Sequence, residues 1–443
     1  MKTLQRSLIL LLLGLSALWW WASAQAIAGA SGLFAWRALM IQYTGVLALG
    51  AMSVGMLLAI RPRGLEQRLH GLDKMYRLHQ WLGIAGLVFA VAHWLWKKAP
   101  KWMVEAGWVE RPPRGPRADP GMALLRFFQE QRGLAEQIGE WAFYAAVLLI
   151  AIALVRRFPY RYFFKTHRWL AVAYLALAVH SVALLNFASW STPLGVAMAL
   201  LLATGSAAAC VSLLRRIGIR SKAMGVIESL EAIKGVGVNA ITVRLRQRWA
   251  GHEAGQFAFV TFDEAEGAHP FTIASAWYGD GRLRFLIKAL GDYTRTLESR
   301  LRIGDLAMVE GPYGRFNFDG AARRQIWIGG GIGITPFLAR MQALAAHSDG
   351  RSVDLFYSTV GLDEAALRRV EESARAAGVR LHVTVSGRDG RLDGGRVRST
   401  VPQWAEADVW FCGPTAFGQA LRSDLVARGL PPERFHQELF ELR

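Results

Sequence analysis

Six apolar runs, each long enough to cross a bilayer as a helix, are crowded into the first half of this 443-residue chain. A spanning helix needs about 20 apolar residues, and the runs lie at 7–28, 35–60, 78–97, 136–156, 166–187 and 192–213. In hydrocarbon the backbone must satisfy its own hydrogen bonds, so runs of this kind fold as helices. After Arg215 the pattern changes to short alternating strands, glycine turns and charged helices, as in a pair of soluble domains.

The first run reads two ways. Lys2 and Arg6 precede it, and Ala22-Ser23-Ala24 resembles a signal-peptide cleavage site. Its length and the interfacial anchors Trp19, Trp20 and Trp21 favour a retained helix. Basic clusters set the orientation. Arg61, Arg63, Arg68 and Lys74 follow the second run, Arg156, Arg157, Arg161, Lys165 and Arg168 follow the fourth, and Arg215, Arg216, Arg220 and Lys222 follow the last. All three fall on one side, expected to be the cytoplasmic face of a bacterial-type inner (plasma) membrane, with the soluble half on that side. The long loop 98–135 is basic on the opposite side (Lys101, Arg111, Arg114, Arg117), but long loops weigh little in this rule. The net charge of +18 is accounted for by juxtamembrane residues facing anionic lipid, and no nucleic-acid motif accompanies it. Two cysteines, one in each half, exclude a disulfide framework.

Four histidines lie in two of the apolar runs: His79 and His93, fourteen residues apart, and His167 and His180, thirteen apart. Ionisable side chains inside a membrane are costly and mark function. At 1.5 Å per residue each pair is separated by about 20 Å along its helix, so two helices offer one ligand each at two depths. His79 with His167 forms an inner pair and His93 with His180 an outer pair, each suited to clamping a haem. Two axial histidines saturate the iron and suit electron transfer. The thirteen-residue spacing leaves its pair out of helical phase, which calls for a bulge or a frayed start near Phe163-Phe164-Lys165-Thr166. His70, in a basic loop, is assigned no role.

Residues 221–318 read as a small antiparallel barrel. His269-Pro270-Phe271-Thr272-Ile273-Ala274-Ser275 supplies an aromatic face and short hydroxyls suited to a flavin ring, and Gly291-Asp292-Tyr293-Thr294 a glycine-led turn suited to a pyrophosphate. From 323 onward the pattern is a parallel sheet with helices. The strand ending at Ile328 runs into Gly329-Gly330-Gly331-Ile332-Gly333-Ile334-Thr335-Pro336, where glycines admit a phosphate and Thr335-Pro336 starts a helix. Phe411-Cys412-Gly413-Pro414 follows a later strand at its C-terminal end, where open α/β sheets bind ligands. Cys412 is equally open to a packing role at this level.

Over roughly 35–443 the chain resembles the NADPH oxidase and ferric reductase superfamily of transmembrane flavocytochromes b. The histidine spacings are similar to that family's haem ligands. His269-Pro270-Phe271-Thr272 and Gly291-Asp292-Tyr293-Thr294 resemble its flavin motifs, Gly311-Pro312-Tyr313-Gly314 the end of its barrel, and Gly329–Pro336 and Cys412-Gly413-Pro414 its nicotinamide motifs. Glu438-Leu439-Phe440 resembles its terminus, whose aromatic stacks on the flavin, although three residues follow Phe440 here.

The resemblance implies a six-helix transmembrane bundle with two b-type haems (1–220), an FAD-binding β-barrel (221–320) and a ferredoxin–NADP reductase-like NAD(P)H domain (321–443). It implies hydride transfer to FAD near Cys412, Phe440 and Thr272. A basic residue expected after the second nucleotide-domain strand is replaced by Ser358-Thr359-Val360, leaving Arg388 and Arg391, in Ser386-Gly387-Arg388-Asp389-Gly390-Arg391, as candidates for a 2′-phosphate. NADPH is therefore the expected donor, with NADH the alternative. The expected acceptor is O2, giving superoxide outside. A ferric chelate, or a periplasmic protein docked on the 98–135 loop, is the alternative.

Overall fold

The computed structural model describes residues 2–69, 71–110, 126, 130–155, 158–361 and 363–438. They form two compact units that divide at Ile217/Gly218.

The first unit holds six helices long and apolar enough to cross a membrane. They are α1 (Lys2–Ala28), α2 (Gly32–Ala59), α3 (Leu72–Glu105), α4 (Arg132–Leu154), α5 (Trp169–Leu184, entered through a short helix Tyr160–His167) and α6 (Pro193–Leu213). Large apolar side chains such as Leu10, Leu148, Val179 and Leu200 point outward, as lipid-facing surfaces require and water-facing ones rarely tolerate. α2 is the centre of the bundle. It packs extensively on α3 and α6 and receives α1, while α4 lies along α5. α1 is fixed by Ser16 Oγ, 2.9 Å from Tyr43 Oη, and by Trp19 packing at a tilt against the Tyr43 ring. α3, and α5 with its short lead-in helix, carry the histidines, and α3 and α5 make no extensive contact with each other.

Each of these two helices departs once from ideal geometry. At the start of α5, Arg168 keeps helical dihedrals, but the hydrogen-bond ladder tightens there, with Ala171 N donating to Arg168 O. His167 thus ends the short lead-in helix, ahead of this i+3 turn, and does not share one regular helix with His180. In α3, Pro100 lies inside the helix. A proline removes one backbone bond and crowds the carbonyl a turn earlier. The neighbouring carbonyl of Lys97 is met by the guanidinium of Arg37, whose Nη2 donates at 3.2 Å.

The second unit contains two sheets. Six antiparallel strands, β1 (Lys222–Ile233), β2 (Val238–Leu245), β3 (Phe257–Thr261), β4 (His269–Thr272), β5 (Arg282–Lys288) and β6 (Leu306–Tyr313), run in the order β4-β3-β6-β1-β2-β5. A bridge between Ile273 and Phe285 joins the two ends of that order and closes the sheet into a barrel. Ile227, Ile241, Val260, Leu283 and Phe285 fill its interior from alternating strand positions. A helix, α7 (Asp292–Arg300), follows β5.

Five parallel strands form the other sheet, in the order β11-β10-β7-β8-β9. They are β7 (Arg324–Gly330), β8 (Ser352–Thr359), β9 (Arg380–Val385), β10 (Asp408–Cys412) and β11 (Phe435–Gln437). Chain order leaves β7 in opposite directions, toward β8 on one side and β10 on the other. The crevice at the C-terminal ends of β7 and β10 is thus the switch point at which such sheets take their ligands. Helix α8 (Thr335–Ala346) starts there, after a 3-10 turn at Gly331–Ile334.

Candidate functional site

In the membrane unit the four histidines meet in two pairs across the gap between α3 and α5. Ring centroids of His79 and His167 lie 5.9 Å apart, and those of His93 and His180 lie 6.2 Å apart. Two imidazoles bound through nitrogens about 2 Å from one metal ion place their centroids about 6 Å apart. Three of the four rings are oriented by backbone. His79 Nδ1 lies 2.9 Å from Gly55 O, His93 Nδ1 2.9 Å from Ile41 O and His180 Nδ1 2.8 Å from Ala135 O. A carbonyl only accepts, so each Nδ1 carries the hydrogen and Nε2 keeps its lone pair for a metal. His167 differs: its Nδ1 is buried without a hydrogen-bond partner among the described residues, and its ring stacks on Phe163.

A bare metal ion does not suit two-ligand sites of this kind. Structural zinc takes four protein ligands, and no group of three or more His, Cys, Asp or Glu that could hold a metal occurs among the described residues. A haem supplies four nitrogens itself and asks the protein for two, so the pairs fit it. Tyr174 does not simply fill the space between the pairs. Its hydroxyl lies 2.8 Å from Ser53 Oγ, tying α5 to α2. Beside the outer pair, Lys97 and Lys98 form ion pairs with Glu136 and Glu140 that lace α3 to α4.

In the barrel, β4 brings His269, Pro270, Phe271 and Thr272 onto the edge strand beside β3. His269 stacks on Tyr293, at 4.6 Å between centroids. Burial holds the His269 imidazole below its ordinary pKa, so it is neutral. Burial, with Asp263 and Glu266 nearby, pushes the Tyr293 phenol up to about 12. That hydroxyl is buried with no partner among the described residues. A buried donor left open costs about 1–3 kcal/mol, and an acceptor on a bound flavin nucleotide relieves it, so the residues present fit FAD. The other hydroxyls have local work. Thr294 Oγ1 accepts from Leu290 N and Gly291 N, closing the turn that starts α7, and Ser275 Oγ accepts from Arg284 N. Ile273 is fully buried, with its N–H bonded to Gln256 O, and builds the barrel wall.

At the switch point the two glycine loops touch backbone to backbone. A Cβ on Gly333 would overlap the carbonyl of Cys412, and one on Gly413 would lie 3.1 Å from the Cα of Gly330. Gly329 is equally hemmed in, 3.3 Å from the Cα of Ile334, while Gly330 packs against Pro414. Gly331 adopts a positive φ of 56°. Thr335 Oγ1 donates to Ile332 O and Pro336 follows it, so α8 begins where the sequence places its start. Its positive end faces the crevice, a fit for a dinucleotide pyrophosphate.

Cys412 is buried, and burial together with Glu438 raises its thiol far above the ordinary range. It is a neutral thiol, not a nucleophilic thiolate. Ser386 opens the short helix Ser386–Asp389. Arg388, well exposed, pairs there with Asp389 at 2.8 Å. Phe440 and the loop arginines Arg111, Arg114 and Arg117 lie outside the described residues, as do Arg156, Arg157 and His70.

Two further residues at this site were not picked out as site residues by the sequence. Lys288, at the end of β5, has its ammonium 4.0 Å from the space above Gly331. Glu438 accepts from Arg315 N at 2.9 Å and lies near Cys412. The lysine has no signal in the sequence, because it reaches the glycine loop only through the barrel's packing. The glutamate lies inside the terminal motif, whose signal is its aromatic.

Residues 44–178 match the family described as ferric reductase like transmembrane component, and residues 228–317 match an FAD-binding domain. Curated relatives match about a third of the chain. A flavohemoprotein of Bordetella pertussis is 30% identical over 183 residues, covering 36% of this chain and 44% of the relative. The heme-dependent oxidative N-demethylase beta subunit of Ectopseudomonas mendocina is 34% identical over 153 residues, covering 33% and 45%. The chain thus spans less than half the length of these relatives. Among solved structures, flavohemoglobin from Malassezia yamatoensis with bound FAD and heme superposes with a TM-score of 0.48 at 19% identity, covering 91% of this chain and 98% of that one.

Proposed function

From the premise that this chain belongs to the NADPH oxidase and ferric reductase superfamily, as a membrane-embedded FAD- and NAD(P)H-dependent oxidoreductase of ferric reductase type, we propose that it carries electrons from cytosolic NADPH, by way of FAD and two b-type haems, to O2 outside the membrane. The observation that carries the reading is the pair of two-histidine clamps at two depths, each with the ring separation of an imidazole–metal–imidazole unit. When bound, FAD turns a two-electron hydride into single electrons and the haems relay them.

The chain's own part is positioning. His79 and His167 hold one haem, and His93 and His180 the other. Tyr293 and the His269–Thr272 strand hold the flavin. The loops Gly329–Gly333 and Cys412–Pro414 admit the dinucleotide, with Lys288 neutralising its phosphates. Cys412 and Glu438 border the nicotinamide end. Keeping Cys412 protonated lets the thiol pack beside the reacting rings without attacking them. The soluble half belongs on the inner side, where the basic clusters meet anionic lipid.

The test is anaerobic reduction of the purified protein by NADPH, followed by admission of air while the haem Soret band is watched. Rapid reoxidation with superoxide formed in proportion is the expected result. Haems that reduce but stay reduced in air would overturn O2 as acceptor in favour of a ferric chelate or a periplasmic protein.

The nucleotide preference follows from Arg388. It is exposed and held by one acidic neighbour, so a 2′-phosphate arriving beside it gains a bidentate partner. Arg388→Ala is expected to raise the KM for NADPH about 10-fold, a loss of roughly 1.4 kcal/mol, with the KM for NADH little changed. Steady-state kinetics with both donors checks it, and equal effects on both would remove Arg388 from this role.

A further inference from the structure

The two histidine pairs differ in what stands behind the rings, and the difference comes down to two glycines. Ile41 O, which receives His93, and Ala135 O, which receives His180, each lie one helical turn before a glycine, Gly45 and Gly139. In an α-helix the carbonyl of residue i already accepts from the N–H of residue i+4. Every Cβ leans toward the helix N-terminus, so a Cβ at i+4 tilts back over the carbonyl at i. A second donor that approaches from the side of that Cβ must enter this space to use the carbonyl's other lone pair. A Cβ on Gly45 would lie 3.3 Å from His93 Nδ1, and one on Gly139 would overlap the His180 ring.

The inner pair is built differently. His79 reaches the carbonyl of Gly55 at 2.9 Å with Ala59, not a glycine, one turn on, so this ring needs no glycine to clear its path. His167 Nδ1 has no acceptor among the described residues.

We infer that Gly45 and Gly139 are positioning residues for the outer haem, each clearing the side of its helix so that an axial histidine donates Nδ1–H to the carbonyl one turn back. A hydrogen bond at Nδ1 fixes the ring's tautomer and orientation and raises its basicity as a ligand. A more basic ligand favours ferric over ferrous iron. Both outer ligands are strengthened in this way and only one inner ligand is, so the outer haem is the stronger reductant of the two by this contribution. The inference rests on the proposed ligation of two haems.

The experiment uses the full-length protein in detergent or nanodiscs. Haem content is measured by the pyridine haemochrome method, low-spin ferric signals by EPR, and midpoint potentials by spectroelectrochemical titration. Gly45→Ala should keep both haems but shift one EPR signal and move one potential upward. Gly139→Ala should weaken or abolish that same signal. Gly83→Ala, on α3 with nothing within 4 Å of the added Cβ, should leave both signals as they were. The unshifted inner signal reports in each variant that the bundle has folded. Wild-type-like signals in both Gly45→Ala and Gly139→Ala, or a shift shared by both haems, would overturn the inference while leaving the two-haem reading intact. A wild-type protein without two bis-histidine signals would overturn both.

Discussion

Replacing His93 with alanine is expected to remove one of the two haems and leave the other in place. His93 meets His180 at 6.2 Å and is far along α3 from His79, so the inner clamp keeps both its ligands. NADPH should still reduce the remaining haem. Delivery to an outer acceptor should fall by more than about 100-fold, since even changes behind a ligand cost about 10–100-fold. The measurements are haem per protein, the Soret amplitude on NADPH reduction, and the rate with O2. Unchanged haem content would remove His93 from the ligand set. The reciprocal change, His79→Ala, should spare the outer haem's absorbance but strand it from NADPH.

A comparably large effect is expected at the nucleotide crevice from a single methyl group. In Gly333→Ala the new Cβ falls on the carbonyl of Cys412 and 3.0 Å from Gly413 N. Both are backbone atoms in the mouth of a parallel sheet and cannot rotate away as a side chain would. The two loops must part, and misplacing bound groups by about 1 Å can cost about 100-fold in rate. NADPH-driven reduction of the flavin should therefore slow by about that factor, while dithionite reduces it normally. Bound-flavin absorbance in the same sample reports that the barrel is intact. Stopped-flow reduction at the wild-type rate would mean that the two loops do not form one site.

Some of this was legible in the sequence because the signals are local. Hydropathy over about 20 residues marks the spans, glycine and proline at a strand end mark the start of α8 at Thr335, and strand alternation marks the barrel. The histidine pairs were legible as positions but not as geometry. Thirteen residues do not return to one helical face, and His167 meets His79 from the short helix that precedes the tightened turn at Arg168. Thr294 and Ser275 each accept from nearby backbone N–H groups, a local use of short hydroxyls that no sequence motif announces. Gly45 and Gly139 were silent. A glycine in an apolar helix gains its meaning only from the ring on the next helix, and a single chain read in order does not contain that neighbour.

The proline in α3 has a mechanical meaning. Just inside it, ion pairs from Lys97 and Lys98 to Glu136 and Glu140 stitch α3 to α4, and Arg37 grips the carbonyl of Lys97. At Pro100 itself a rung of the helix is missing. A push or pull on the stretch from Lys101 to Glu105 therefore bends the helix at that joint, against a braced segment, before any displacement reaches His93. The His93–His180 pair is cushioned against force, and whatever meets this end of the helix can do so without disturbing the clamp proposed there.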